Sequence, residues 1–157
     1  MPVYNRYYSD SNNQIDTPES RVLLTQQGPC IPVAIAVPQQ LAQVLQGLGQ
    51  PVPPAVTGLA LIDTGASICA IDEDALRKLG IPPFGYMPIL TPAGQGTQPT
   101  YPASLSFPGT PLPNVSFANF VGSPLAQQGI LALIGRNVLQ DFVLHYNGPG
   151  SHFSLAF

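Results

Sequence analysis

Asp63-Thr64-Gly65-Ala66-Ser67 is the stretch of this 157-residue chain whose residue types could do chemistry. An apolar run, Leu59-Ala60-Leu61-Ile62, precedes it, and another, Ile68-Cys69-Ala70-Ile71, follows. A carboxylate between two strand-like apolar runs is costly to bury unless it is paired or hydrogen-bonded. Asp and Gly are also ordinary turn residues, so the tripeptide alone is compatible with a plain turn. The chemistry open to it is proton transfer. Two carboxylates sharing one proton can act together: the ionised one takes a proton from water, and the neutral one donates to a carbonyl oxygen. Like charges in contact cannot both ionise, so such a pair titrates with its two values pushed apart. One carboxylate cannot play both parts, and the motif occurs once. A site of this kind needs two chains.

A second segment adds context. Residues 131–139 read Leu-Ala-Leu-Ile-Gly-Arg-Asn-Val-Leu, an apolar strand, a glycine and a helix start. Taken in order, the two segments resemble the retropepsin family, the dimeric aspartic proteases of retroviruses and their cellular and bacterial relatives. In that family Asp-Thr/Ser-Gly-Ala sits on a loop after an apolar strand. Later an apolar-apolar-Gly element, often continued by Arg-Asn or Arg-Asp, crosses beneath the loop and starts a helix. Leu133-Ile134-Gly135-Arg136-Asn137 matches in type and order. The resemblance covers roughly residues 30–157 and implies a mostly β, retropepsin-like acid-protease fold. It implies a homodimer that hydrolyses peptide bonds in a peptide or protein substrate. The catalytic residues would be Asp63, Thr64 and Gly65, with Thr64 bonding across the two-fold axis. Ala66, Ser67, Ile89, Leu90, Gly94, Gln95 and Gly96 would line the substrate. Ile134, Gly135, Arg136 and Asn137 would support the loop.

Ser67 departs from the family pattern. Many retroviral members have an Asp there that pairs with the Arg of the second motif. Arg136 is therefore expected to turn to Ser67, to backbone carbonyls, or to Asp72 or Asp74.

The bulk properties bound the alternatives. The length is that of one domain with a real core. Only 8% of residues are charged, against roughly 25% in typical domains. Nineteen prolines and fifteen glycines favour strands, turns and loops over helices. With a net charge of −3, nothing resembles a nucleic-acid footprint. No apolar run approaches the roughly 18 residues of a membrane span. The N-terminus lacks the apolar centre of a signal peptide, so a cytoplasmic location is expected. Cys30 and Cys69 are the two cysteines, and Cys69 reads as a small core residue. His145 and His152 are the only histidines, and no Cys/His spacing suggests zinc. Neither metal nor cofactor is expected.

Residues 1–20 are polar and read as a flexible arm before a protease domain spanning 21–157. Arg21–Thr25 reads as a short strand and Ile31–Val37 as a better one, with Pro32 at an edge or a strand start. From Pro38 the period changes. Leu41, Val44, Leu45 and Leu48 share one helix face, and Gly49 supplies a stop, so a helix inserted near 38–49 is predicted. Its expected role is to cover core. Val56–Ile62 returns to strand. Asp72–Gly80 reads as a compact helix with acids first and bases last. Tyr86–Thr91 and Thr100–Phe107 flank a Gly-rich stretch, Pro92–Pro99, as a hairpin with that stretch at its tip. Its place after the catalytic motif matches the retropepsin flap. Val115–Val121 and Ile130–Ile134 are strands, Asn137–Phe142 a short helix, and Phe142–Tyr146 with Ser151–Phe157 a terminal hairpin. Both histidines fall on its surface. The dimer contact is expected at Ser151–Phe157 with residues near Val22–Thr25, and Arg6 is expected to matter little.

Two other classes stay open. One is a retropepsin-fold dimerisation or protein-interaction module without proteolytic activity. The other is an unrelated β protein in which Asp63 is a turn residue. A Ser67, His145, Asp141 triad is arithmetically possible, but the chain lacks the nucleophile-elbow pattern Gly-x-Ser-x-Gly.

Overall fold

The computed structural model describes residues 1–91 and 94–157, and their order is mostly strand. The elements are β1 (Val3–Tyr7), α1 (Pro18–Gln27), β2 (Cys30–Ala36), α2 (Gln39–Gly47), β3 (Val56–Ile62), β4 (Ala70–Asp72) and α3 (Glu73–Lys78). Then follow β5 (Gly85–Thr91), β6 (Gly94–Ser106), β7 (Val115–Ser123), a single 3-10 turn at Ala126–Gln128, β8 (Ala132–Ile134), α4 (Arg136–Leu139), β9 (Val143–Asn147) and β10 (His152–Ala156). Among these described residues no helix is long and apolar enough to cross a membrane.

Seven strands form one sheet in the order β2-β3-β8-β4-β7-β6-β5, and β2 also pairs with β6, which curls the sheet. Pro32 is tolerated because β2 meets β6 only from Ala34 to Ala36; at Pro32 its one partner strand is β3. The centre of the sheet is the part that matters for the site. β8 lies between the two strands that flank Asp63. It runs parallel to β3, with Leu133 beside Leu61, and antiparallel to β4, with Leu133 beside Ala70. One face of these strands, with Ala60, Ile62, Ile71, Ala132 and Ile134, is buried in the main core together with Leu24, Ile35, Leu76, Phe120 and Phe153. The opposite face carries a row Leu61, Leu133, Ala70, Val121.

The second sheet has the order β1-β10-β9. It corrects the reading of the N-terminus as a mobile arm. Val3–Tyr7 alternates exposed and half-buried residues along β10, from Val3 opposite Ala156 to Tyr7 opposite His152. Tyr4 meets Phe153 with ring centres 6.1 Å apart. Arg6 lies over the Tyr8 ring and donates from Nη1 to the Cys30 carbonyl at 2.9 Å. Arg6 therefore joins the two sheets within the chain. Within the chain, β10 has β1 on one edge and β9 on the other.

Arg21–Thr25 is helical, not a strand. Thr17 caps α1: its hydroxyl accepts from Ser20 N, Ser20 Oγ accepts from Thr17 N, Pro18 fills the first turn, and Gly28 ends the helix at φ +69°. The inserted α2 is present but only loosely seated. Leu41 and Ala42 pack on the core, whereas Val44 and Leu48 are exposed. The helix after the second motif is a single turn, Arg136–Leu139, not the longer stretch to Phe142.

Candidate active site

Asp63 leaves β3 half-buried, while Thr64, Gly65 and Ser67 are exposed. Its backbone is fixed first. Asp63 N donates to the Ile134 carbonyl at 3.0 Å, and Ile62 N donates to Pro29 O at 3.0 Å. The side chain is fixed by its own turn. Asp63 Oδ1 accepts from Gly65 N at 2.8 Å and from Ala66 N at 3.3 Å. Both bonds fall on one oxygen. Gly65 makes this possible, since a Cβ there would sit 3.0 Å from Oδ1.

The second motif forms the floor of the loop. Arg136 N donates to Ala66 O at 2.9 Å and Asn137 N to Ser67 O at 3.2 Å. Arg136 Nη1 donates to the carbonyls of Thr64, at 2.7 Å, and Gly65, at 3.1 Å. Of the partners open to Arg136, the backbone carbonyls are the ones it takes, and no bond joins it to the Ser67 hydroxyl, Asp72 or Asp74 among the described residues. Gly135 lies so close that a Cβ would stand 2.6 Å from both the carbonyl carbon and the oxygen of Ile68. Only glycine fits there.

Cys69 and Asn137 complete this floor, and the sequence alone did not show how. Asn137 Oδ1 accepts from Cys69 N at 2.9 Å, and Cys69 Sγ accepts from Gly135 N at 3.1 Å. Burial pushes the Cys69 thiol up to about 11, against the smaller opposing pull of the Gly135 and Val138 backbone amides. The sulfur is therefore a neutral thiol that accepts a bond within the support. A side chain as small as Cys at this position, between a strand and a Gly-Arg-Asn turn, was the available signal.

Asp72 was grouped with the acids that open a helix. It does cap α3, with Oδ1 accepting from Asp74 N at 3.1 Å and Ala75 N at 3.3 Å. Its other oxygen reaches further: Oδ2 accepts from Leu125 N at 2.9 Å and Ala126 N at 2.7 Å. Only 5% exposed, the carboxylate ties α3 to the turn that leads into β8.

The hairpin β5–β6 differs from its sequence reading. Gly94, Gln95 and Gly96 are not its tip. They are strand residues opposite Thr91, Leu90 and Ile89, and Pro92 and Ala93 of the expected tip lie outside the described residues. Ile89 and Leu90 point to opposite faces, as neighbours in a strand must. Ile89 and Met87 pack on Ala70, Val121 and Leu125, as do Ile68 and Leu133. Leu90 is 79% exposed. The residues expected to contact substrate therefore divide. Ile89 shares an apolar cluster with Ile68, beside the Asp63 loop, whereas Leu90 lies away from it. No hydrogen bond joins Gln95 or Gly96 to the Asp63 loop among the described residues. A cleft of about 270 Å3 between β3 and α3 does not include Asp63. No group of three or more His, Cys, Asp or Glu is placed to hold a metal among the described residues.

The family model described as aspartyl protease matches residues 41–138, a span that holds both motifs. Among solved structures, the simian foamy virus (mac) protease is similar at 19% identity with a TM-score of 0.42, covering 69% of this chain and 91% of that one. A retropepsin-like aspartic protease from Rickettsia conorii is similar at 14% identity with a TM-score of 0.41, covering 99% of this chain and 92% of that one. No curated protein matches the chain.

Proposed function

We propose that this chain, which belongs to the aspartyl protease family, is one half of a homodimeric endopeptidase whose two Asp63 carboxylates activate a water for peptide hydrolysis. The observation that carries the reading is the partial satisfaction of Asp63. Gly65 N and Ala66 N hold Oδ1, and Oδ2 has no hydrogen-bond partner among the described residues. The loop is rigid through Ile134, Arg136 and Asn137, yet its exposed side presents Asp63, Thr64 and Gly65 outward. A carboxylate positioned in this way can share a proton with its symmetry mate.

Each residue then has a part. One Asp63 takes a proton from water as the other, protonated, donates to the scissile carbonyl oxygen. Thr64, with its side chain on the exposed rim, bonds to the partner loop across the axis. Gly65 lets the substrate backbone approach closely. Ile68 and Ile89 provide apolar contact for substrate side chains, and the β5–β6 hairpin covers them.

The two-chain requirement can be tested directly. Wild-type chain is mixed with a ninefold excess of Asp63→Asn, and cleavage of an unfolded protein is followed after subunits exchange. Random pairing leaves about one tenth of wild-type chains with an intact partner, so activity per wild-type chain should fall about tenfold. Undiminished activity per wild-type chain, with exchange demonstrated, would mean that one chain suffices. Absence of any cleavage sensitive to a hydroxyl-bearing transition-state mimic would instead indicate an interaction module.

A further inference from the structure

The outer face of the β1-β10-β9 sheet carries both histidines of the chain. Ser154 of β10 lies opposite His145 of β9, and His152 lies two residues from Ser154 on the same strand. His145 and His152 are therefore diagonal neighbours on one face, a relation within reach of long side chains. Their ring centres are 5.9 Å apart, with the planes at 50°. His145 is exposed and His152 is half-exposed.

His152 is held in a defined state. Its Nδ1 lies 3.0 Å from the carbonyl oxygen of Gly150. A carbonyl only accepts, so Nδ1 carries a hydrogen, which in the neutral ring leaves the lone pair on Nε2. Gly150 permits this approach, since a Cβ there would stand 2.9 Å from Nδ1. Tyr7 covers the same ring, with centres 4.9 Å apart. The turn behind it is anchored on α1, through Ser151 Oγ to Ser20 Oγ at 2.7 Å and Arg21 Nε to Pro149 O at 2.9 Å. His145 makes no side-chain hydrogen bond among the described residues, so its ring is free to turn towards its neighbour.

We infer that His145 and His152 form a surface site for a divalent transition-metal ion of the imidazole-preferring class, nickel, copper or zinc. With metal–nitrogen bonds of about 2.0–2.1 Å, two imidazoles at adjacent positions on one ion stand with ring centres roughly 4.5–5.2 Å apart. The observed 5.9 Å is closed by a small rotation of the unbonded His145 ring. A ring nitrogen fixed by a backbone carbonyl, with the other left as a donor to metal, is the arrangement that orients metal-binding histidines. Among the described residues no acidic side chain is paired with either ring, so water would complete the coordination and the ion would exchange readily. The site lies on the terminal sheet, is separate from Asp63, and does not depend on the peptidase reading.

Untagged protein titrated with Ni2+ in a calorimeter tests this. Wild type should bind one ion per chain. His145→Ala and His152→Ala should each weaken binding at least tenfold, and the double variant should show none. His145 is exposed, so its alanine variant should keep the wild-type melting temperature and remains informative if loss of the Tyr7 stack disturbs His152→Ala. The 15N shift of the His152 Nε2 in wild type should move on adding Ni2+ or Zn2+. Equal binding by wild type and the double variant, or no binding by wild type at millimolar Ni2+, would overturn the site.

Discussion

Asp63 and Asp72 stand at opposite ends of the same stretch of chain, and the protein treats their carboxylates differently. Asp72 is buried and accepts four backbone N–H bonds, two on each oxygen, from Asp74, Ala75, Leu125 and Ala126. Asp63 is half-buried and accepts two, both on Oδ1. A carboxylate with both oxygens filled holds structure together and has nothing left to offer a substrate. A carboxylate with one oxygen held and one available is oriented without being spent. On the proposed reading, hydrogen-bond completeness, more than burial or sequence context, separates the structural acid Asp72 from the proposed catalytic Asp63.

The sharpest way to break this comparison is to neutralise each acid in turn. Asp63→Asn should lower peptidase activity by about 10²–10⁴-fold, the usual worth of a positioned acid or base, and leave the melting temperature nearly unchanged. Asp72→Ala should do the reverse. It leaves four N–H groups without an acceptor, at about 1–3 kcal/mol for each group that stays buried and dry. Relaxation and water at the half-exposed members reduce the total, so a loss of about 3–5 kcal/mol is expected in denaturant melts. An Asp72→Ala chain that is fully stable but inactive would reverse the two roles.

Gly135→Ala probes the floor that orients Asp63 without touching Asp72. Its methyl would meet the Ile68 backbone at 2.6 Å, and backbone cannot move aside cheaply. A loss of about 2–4 kcal/mol is expected, in the range of overpacked sites. Activity should fall with it even in the folded fraction, because Asp63 N donates to the adjacent Ile134 carbonyl. A fully active Gly135→Ala protein would show that the floor does not orient the carboxylate.

Between the two acids lies Cys69, whose thiol is raised by burial from 9.0 to about 11. Above pH 9 the unfolded chain releases this proton and the folded chain keeps it, so the unfolded state binds fewer protons and stability falls as pH rises. The window runs from about pH 9 to 11, with full stability below it and a loss of up to about 2–3 kcal/mol above. Cys69→Ala should flatten that part of the stability profile. A profile unchanged by the substitution would mean that the thiol is not held neutral.

The smallest effect is expected from Arg136→Ala. Its guanidinium ties the carbonyls of Thr64 and Gly65, both in exposed residues that water can also reach. A loss of about 1 kcal/mol is therefore expected, below the usual worth of a charged hydrogen bond because water can replace it at the exposed carbonyls. An unchanged melting temperature with activity lost would show that Arg136 acts on chemistry and not on the loop.

The sequence displayed the local features well and the long-range ones poorly. The Asp63 loop, the Gly135 turn and the strands around them were legible because each is marked by residue type over a few positions. The existence of α2 and the charge order of α3 were legible for the same reason, although Val44 and Leu48 of the predicted α2 face are exposed. β1 was not, because a short Tyr-rich polar strand is defined by β10, at the far end of the chain. α1 was missed because its capping box carries Ser20 where Glu or Gln is the usual sign. Gly94 to Gly96 suggested a tip because glycine favours turns, yet the register with Leu90 and Ile89 makes them strand. The second pair of bonds on Asp72 was invisible, since backbone N–H donors leave no mark on residue type.

The threading of β8 between β3 and β4 also sets a schedule for folding. Asp63 is made well before Ile134, and its backbone N–H has no acceptor until Ile134 arrives. Neither flanking strand can close on the other, because the strand between them comes from the far part of the sequence. Contacts of such wide separation cost loop entropy before they return stability, and they slow folding. A nascent chain carries the Asp63 loop unfinished, with its acid unaligned, until nearly the whole domain has emerged. Topology alone thus delays the completion of the loop until almost all of the described chain is in place.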